Sequence, residues 1–131
     1  MDYERLVHDL WQDIDNQAWH KLSKYFAPNA VISWPNTEEC FTVDEFVLVN
    51  SKYPGSWQIS IKKLITAGAT VISVTKHTQK DSSTSYHAVS FFEFEGDKIK
   101  VLDEYWGNDD EPPQWRIDIR LGTYSSSNGH E

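Results

Sequence analysis

A second cysteine is missing from this 131-residue chain. Cys40 stands alone, so no disulfide can form within one copy, and a reducing compartment fits. With no His or Asn partner evident near it, Cys40 reads as a small core residue rather than a nucleophile. Basic side chains are scarce as well: twelve Lys and Arg stand against twenty Asp and Glu, a formal charge of -8. Such a field repels phosphate backbones and argues against a nucleic-acid partner. Long apolar runs are also lacking, so no membrane span is expected. Met1-Asp2-Tyr3-Glu4-Arg5 lacks the basic-then-apolar pattern of a signal peptide, and no Asn-x-Ser/Thr acceptor site occurs. The expected location is cytoplasmic.

Rings are what the chain has in plenty: six Trp, six Tyr and six Phe. Most of them must be core, and the excess points to a cavity or interface walled by rings. The length suits one domain, expected over residues 1–124, with a disordered tail at 125–131.

The first half reads as helix. Leu6, Val7, Leu10, Trp11 and Ile14 recur at three- and four-residue spacing. Asp15-Asn16 interrupts and is expected to cap a second helix with Trp19, Leu22 and Phe26 on one stripe, closed by Pro28. Ala30 to Trp34 reads as a strand stopped by Pro35-Asn36. Thr42-Val43-Asp44-Glu45 is a capping box, with Phe41 and Phe46 placed as a hydrophobic staple, so a third helix starts at about Val43 and ends before Pro54-Gly55.

The second half reads as strands. Trp57 to Ile65, Val71 to Gln79, Ser85 to Glu95 and Ile99 to Trp106 are rich in β-branched and aromatic residues, and good turn chemistry separates them. Glu93 and Glu95 facing water would turn Ala88, Ser90, Phe92 and Phe94 inward. The expected fold class is α+β, with three N-terminal helices packed in the concavity of a curved antiparallel sheet, a cone-shaped barrel with a conical hole for a ligand.

Leu22 to Pro35 (LSKYFAPNAVISWP), Phe91 to Trp106 (FFEFEGDKIKVLDEYW) and this element order resemble the SnoaL-like domains of the nuclear transport factor 2-like superfamily, over residues 4 to 120. The stretch from Gly107 through Pro112, Pro113, Trp115 and Arg116 is similar to a bacterial subgroup of such domains. The resemblance implies a pocket, and it also implies what is missing. Where ketosteroid isomerases carry a general-base Asp before the proline, this chain has Trp34. Their oxyanion-hole Tyr falls at Leu10 and their protonated Asp at Ser90. Where SnoaL-type cyclases place an acid–base Asp after the aromatic run, this chain has Gly107. The relatives' alignment turns Leu102, Glu104 and Trp106 to the pocket, and relatives commonly dimerise through the outer sheet face. Here that face would carry Val89, Phe91, Ile99 and Val101.

Glu104 is therefore the candidate catalytic residue, a carboxyl among rings whose burial would raise its pKa. Strand parity alone argues the opposite, since Ile99 and Val101 share parity with Asp103 and Tyr105; that would leave Glu104 solvated. No cation is obviously placed to pair with it, Arg116 on the following segment being the candidate exception. Trp34, Trp106, Ser90, Leu10 and Leu102 are the candidate ligand-binding residues, Trp34 and Trp106 serving equally as packing. His77 and His87 flank a hairpin and are expected opposite each other, on the face away from Ser90; no third ligand has metal-site spacing. Asp109-Asp110-Glu111 reads as a solvated loop. No phosphate loop, dinucleotide fingerprint or nucleophile elbow is present, so no cofactor and no metal are expected.

Three functions stay open. An acid–base enzyme (isomerase, dehydratase or cyclase type) acting on a small apolar or carbonyl-bearing molecule needs two or more polar groups converging on a cavity. A non-catalytic small-ligand binder needs a cavity with one or none. A dimerisation or protein-interaction module needs no cavity but an exposed apolar patch.

Overall fold

The computed structural model describes residues 1–124; the expected disordered tail at 125–131 lies outside them. The chain runs through helix α1 (Tyr3–Asp15), a 3₁₀ helix (Trp19–Tyr25), strands β1 (Phe26–Trp34) and β2 (Glu39–Phe41), helix α2 (Val43–Ser51), strands β3 (Trp57–Ala67), β4 (Thr70–Gln79), β5 (Ser85–Glu95) and β6 (Lys98–Asn108), and helix α3 (Gln114–Asp118). The strands form one curved sheet in the order β2-β1-β6-β5-β4-β3. The sheet is curved, as expected, and it stays open with β2 and β3 as its edges, so the expected cone-shaped barrel is a half-cone.

The apolar stripe read from the sequence makes α1 bury Val7, Leu10, Trp11 and Ile14, and α1 lies over β3 and β4 while α2 lies against β1. Helix α2 starts at the predicted capping box. The Thr42 amide donates to Glu45 Oε1 at 2.9 Å and the Glu45 amide to Thr42 Oγ1 at 3.3 Å. Phe41 meets the Trp34 ring edge-on and Phe46 meets Phe26.

The second helix departs from expectation. It is a 3₁₀ helix that ends at Tyr25, and Phe26 and Pro28 belong to β1. Asp15 does not cap it; its Oδ1 accepts from the Ile59 amide at 2.8 Å and ties α1 to β3. Pro28 is tolerated because β1 leaves regular pairing with β6 between Phe26 and Val31, so no ladder hydrogen bond is lost there.

The sheet is mixed rather than wholly antiparallel, because β1 pairs with β6 in parallel, Ile32 against Leu102 and Ser33 against Asp103. Two bulges adjust it, at Lys62 between β3 and β4 and at Lys100 between β5 and β6. The bulge at Lys100 settles the parity of β6. One extra residue between Ile99 and Val101 turns Ile99 inward, into the core, and leaves Leu102 and Glu104 inward as well. Ile99 is thus removed from the outer face on which it was expected. On β5, Ala88, Ser90, Phe92 and Phe94 are buried and Glu93 and Glu95 exposed, as expected. Cys40 is exposed rather than core, because it sits on the short edge strand β2.

The cap is the cleanest local test of this architecture. Thr42→Ala should cost about 1 kcal/mol in urea-induced unfolding, and Thr42→Ser should recover most of it.

Candidate functional site

The register of three strands builds the site. The parallel β1–β6 pairing sets Trp34 beside Glu104, and the antiparallel β5–β6 pairing puts Ser90 directly across from it. Glu104, 7 % exposed, accepts from both neighbours: Trp34 Nε1 donates to Oε1 at 3.0 Å, and Ser90 Oγ to Oε2 at 2.9 Å. Burial pushes its carboxyl pKa above the ordinary value, and the two hydrogen bonds pull back only part of that rise. Arg116 takes no part. It sits on α3 with its guanidinium over the Trp115 ring.

Glu104 lies in the wall of a cavity of about 180 Å³. Helix α1 contributes Trp11 and Ile14, and α2 contributes Phe46 and Asn50. Trp34, His77, Tyr86, Ala88, Trp106 and Asn108 come from the sheet. Tyr53, Trp57 and Thr84 complete the lining, and the exposure of Tyr53, Thr84 and Asn108 marks the mouth. Asn36 fixes Trp106 in place: its Nδ2 donates to the Trp106 carbonyl at 2.9 Å and its Oδ1 accepts from the Trp106 amide at 3.0 Å. The clamp takes over where the Pro35–Thr37 turn ends the strand.

His77 is the second ionisable group of the wall. Its ring stacks on Tyr86 with centroids 4.5 Å apart, meets Trp11 edge-on, and places Nε2 at 2.9 Å from Thr75 Oγ1. Burial, helped by nearby His87, lowers its pKa to about 4, so the imidazole is neutral at pH 7. Burial likewise pushes the Tyr53 and Tyr86 phenols up, with a further rise from the acidic groups nearby, and both keep their protons. The cavity thus presents a carboxyl, an imidazole, two phenols and two amides on a wall of rings.

Of the residues singled out in the sequence, Glu104, Trp34 and Trp106 meet at this cavity, and Ser90 reaches it only through Glu104. Leu10 and Leu102, each 1 % exposed, do not line it. They pack in the hydrophobic core, Leu102 against β1 at Ile32 and Leu10 on the face of α1 beside Trp11. His77 and His87 are not opposite each other: Tyr86 faces His77, and Lys76 faces His87. The one-residue offset sends His87 to the outer face and His77 to the face that carries Ser90. There His87 Nδ1 lies 2.5 Å from Asp109, which also accepts from Ser85. Burial tends to raise the Asp109 pKa, but these hydrogen bonds and the nearby positive groups outweigh it and hold the carboxyl low. Among the described residues no three His, Cys, Asp or Glu side chains are grouped to hold a metal, and no helix is long and apolar enough to cross a membrane.

The two buried ionisable groups pull stability in opposite directions with pH. The native pKa of Glu104 is raised, so its contribution is full below about 4.5 and is lost as pH climbs through the native value. The native pKa of His77 is lowered, so its contribution is full above 6.5 and is lost as pH falls towards about 4. In urea titrations across pH, Glu104→Gln should therefore match the wild type in acid and gain on it progressively above pH 4.5. His77→Phe should gain on the wild type as pH falls from 6.5 to 4. Parallel pH curves for wild type and variants would show that neither group is desolvated.

No protein-family model matches the chain, and no curated protein matches it. Solved structures do. A candidate ketosteroid isomerase from Kribbella flavida DSM 17836 superposes with a TM-score of 0.80 at 20 % identity, over 97 % of this chain and 93 % of that one. An NTF-2 like protein of unknown function from Burkholderia xenovorans LB400 gives 0.75 at 16 %, over 92 % and 94 %. A candidate SnoaL-like polyketide cyclase from Shewanella denitrificans OS-217 gives 0.70 at 10 %, over 92 % and 98 %. At these identities the likeness is one of architecture: the chain has the nuclear transport factor 2-like fold.

Proposed function

We propose that this chain is a small-molecule pocket protein in which Glu104 gives and takes a proton at a small, largely apolar or carbonyl-bearing ligand. The observation that carries the reading is the Glu104 carboxyl itself, buried in the cavity wall and held from both sides by Trp34 and Ser90. An enzyme of isomerase, dehydratase or cyclase type needs polar groups converging on one cavity. Here neutral His77 and the Tyr86 phenol share the cavity with Glu104. The alternatives fit less well. A collapsed interaction module has no use for an internal space, and a passive binder of an uncharged apolar molecule has no use for a buried acid. Ketosteroid isomerase chemistry in its usual form is not proposed, because Trp34, Leu10 and Ser90 stand where that chemistry needs acids and a phenol.

A protonated Glu104 carboxyl beside a bound carbonyl lowers the barrier to enolisation by donating to the oxygen, while the neutral His77 imidazole of the same cavity takes the proton of the neighbouring C–H bond. Cyclohexanone in D₂O therefore serves as a probe, with deuterium uptake at its α carbons followed by NMR. The wild type should speed exchange over buffer by roughly 10²-fold, and Glu104→Gln should return it to the buffer rate. Cyclohexanone that shifts the indole resonances of Trp34 and Trp106 without faster exchange would instead make the cavity a binding site only.

We also infer a homodimer through the outer sheet face. With Ile99 withdrawn to the core, that face carries Val31, Val89, Phe91, Val101 and Tyr105, and Phe91 and Tyr105 meet edge-on. Tyr105 is 47 % exposed and Val31 45 %, too much adjoining apolar surface to favour a lone copy. Light scattering at micromolar concentration should give twice the 15.2 kDa of one chain. A monomer would require another cover for this face.

A further inference from the structure

Four rings of the cavity wall are arranged as a box. Tyr53 meets Trp57 with planes 89° apart, Trp57 meets Tyr86 at 65°, and Tyr86 meets Trp106 at 64°. Planes this steep to one another turn round a space instead of stacking into a slab; His77 covers one face of Tyr86, and the other rings bring negative faces from further sides. Beyond them is Glu104, an acid with no cation beside it.

No lysine or arginine lines the cavity. The cation–ring pairs of the described residues, Lys24 on Tyr25 and Arg116 on Trp115, lie elsewhere. The titratable groups that face Glu104 are His77 from β4, Tyr86 from β5 and Tyr53 from the segment after α2, with Glu39 of β2 near Tyr53. Helices α1 and α2 add only Trp11, Ile14, Phe46 and Asn50. At pH 7 none of these is positive. The whole chain adds a charge of -8, which draws small cations towards it.

We propose that the ligand of this cavity carries a small organic cation, an alkylammonium group, clasped by Tyr53, Trp57, Tyr86 and Trp106 and balanced by the Glu104 carboxylate. The inference rests on the cavity being a small-molecule site, and it names the ligand class. It also gives the buried acid a partner. In the empty cavity burial favours the protonated form of Glu104, because a lone charge there is costly. An arriving cation stabilises the carboxylate, so below the native pKa one proton leaves Glu104 for solvent per cation bound. The cation then occupies a desolvated site where its attraction to ring faces is strongest.

Choline and its uncharged isostere 3,3-dimethylbutan-1-ol have the same shape and differ in the charge, so calorimetric titration of the intact protein with each isolates it. Choline should bind at least tenfold tighter than the alcohol. Its affinity should rise about tenfold per pH unit below the native pKa of Glu104 and level off above it, and its heat should vary with buffer in proportion to the proton released. In Glu104→Gln the pH dependence and the proton release should vanish while a smaller preference for choline, due to the rings, remains. Equal or tighter binding of the alcohol overturns the cation and leaves the small-molecule reading standing. Failure of both probes to bind also overturns the cation, and cyclohexanone exchange then decides the wider reading separately.

Discussion

One buried carboxyl organises this molecule. Glu104 has two oxygens to satisfy away from water, and it finds a donor on each neighbouring strand, the Trp34 indole on β1 and the Ser90 hydroxyl on β5. Leaving either oxygen unpaired in a dry wall would cost more than a typical hydrogen bond returns. The three strands are therefore held in one register at the cavity. The parallel junction between β1 and β6 is the means, because it carries Trp34 to the level of Glu104. Nearby polar atoms in the same wall are paired too: Trp11 Nε1 donates to Ser73 at 3.0 Å, and Thr75 meets His77. Polar side chains sit inside this half-cone because each has a partner, and together they fix its shape.

Much of this was legible in the sequence. The capping box marked the start of α2, the turn chemistry separated β3 to β6, and the pattern of β5 gave its inward face. Glu104, Trp34 and Trp106 were found because the family likeness outweighed simple alternation on β6. Alternation failed there for a physical reason, the extra residue at Lys100. On β4 alternation holds but hydrophobicity misleads: the inward row is Val71, Ser73, Thr75 and His77, and the outward row holds Ile72 and Val74. Counting apolar residues points that strand the wrong way, since the inward hydroxyls are satisfied by Trp11 from the distant helix α1 and by His77 two residues along the same strand. Tyr53, Trp57 and Tyr86 went unnoticed as site residues for a related reason. They converge from a loop and two strands, and convergence is a property of the folded chain.

The architecture is shared with isomerase-like and cyclase-like proteins at low identity, while the positions that the family resemblance gives to acids and a phenol hold an indole, a leucine, a serine and a glycine here. Fold and chemistry are separable in this way because the half-cone supplies a dry space, and the side chains at its wide end decide what that space does. In this chain the acid stands at the head of the Glu104-Tyr105-Trp106 run, level with Trp34 at the end of β1.

An open sheet has a cost that a closed barrel avoids: two rows of unpaired backbone groups that invite strands from other molecules. The two edges here are guarded differently. β2 is three residues long, too short to template a growing ladder. β3 is eleven residues long, and its guard is the bulge at Lys62, beside Lys63, which breaks the regular spacing of the edge and plants two ammonium groups along it. Two of the chain's nine lysines thus stand where self-assembly into fibrils would begin, and the irregularity in β3 protects the molecule against its own kind.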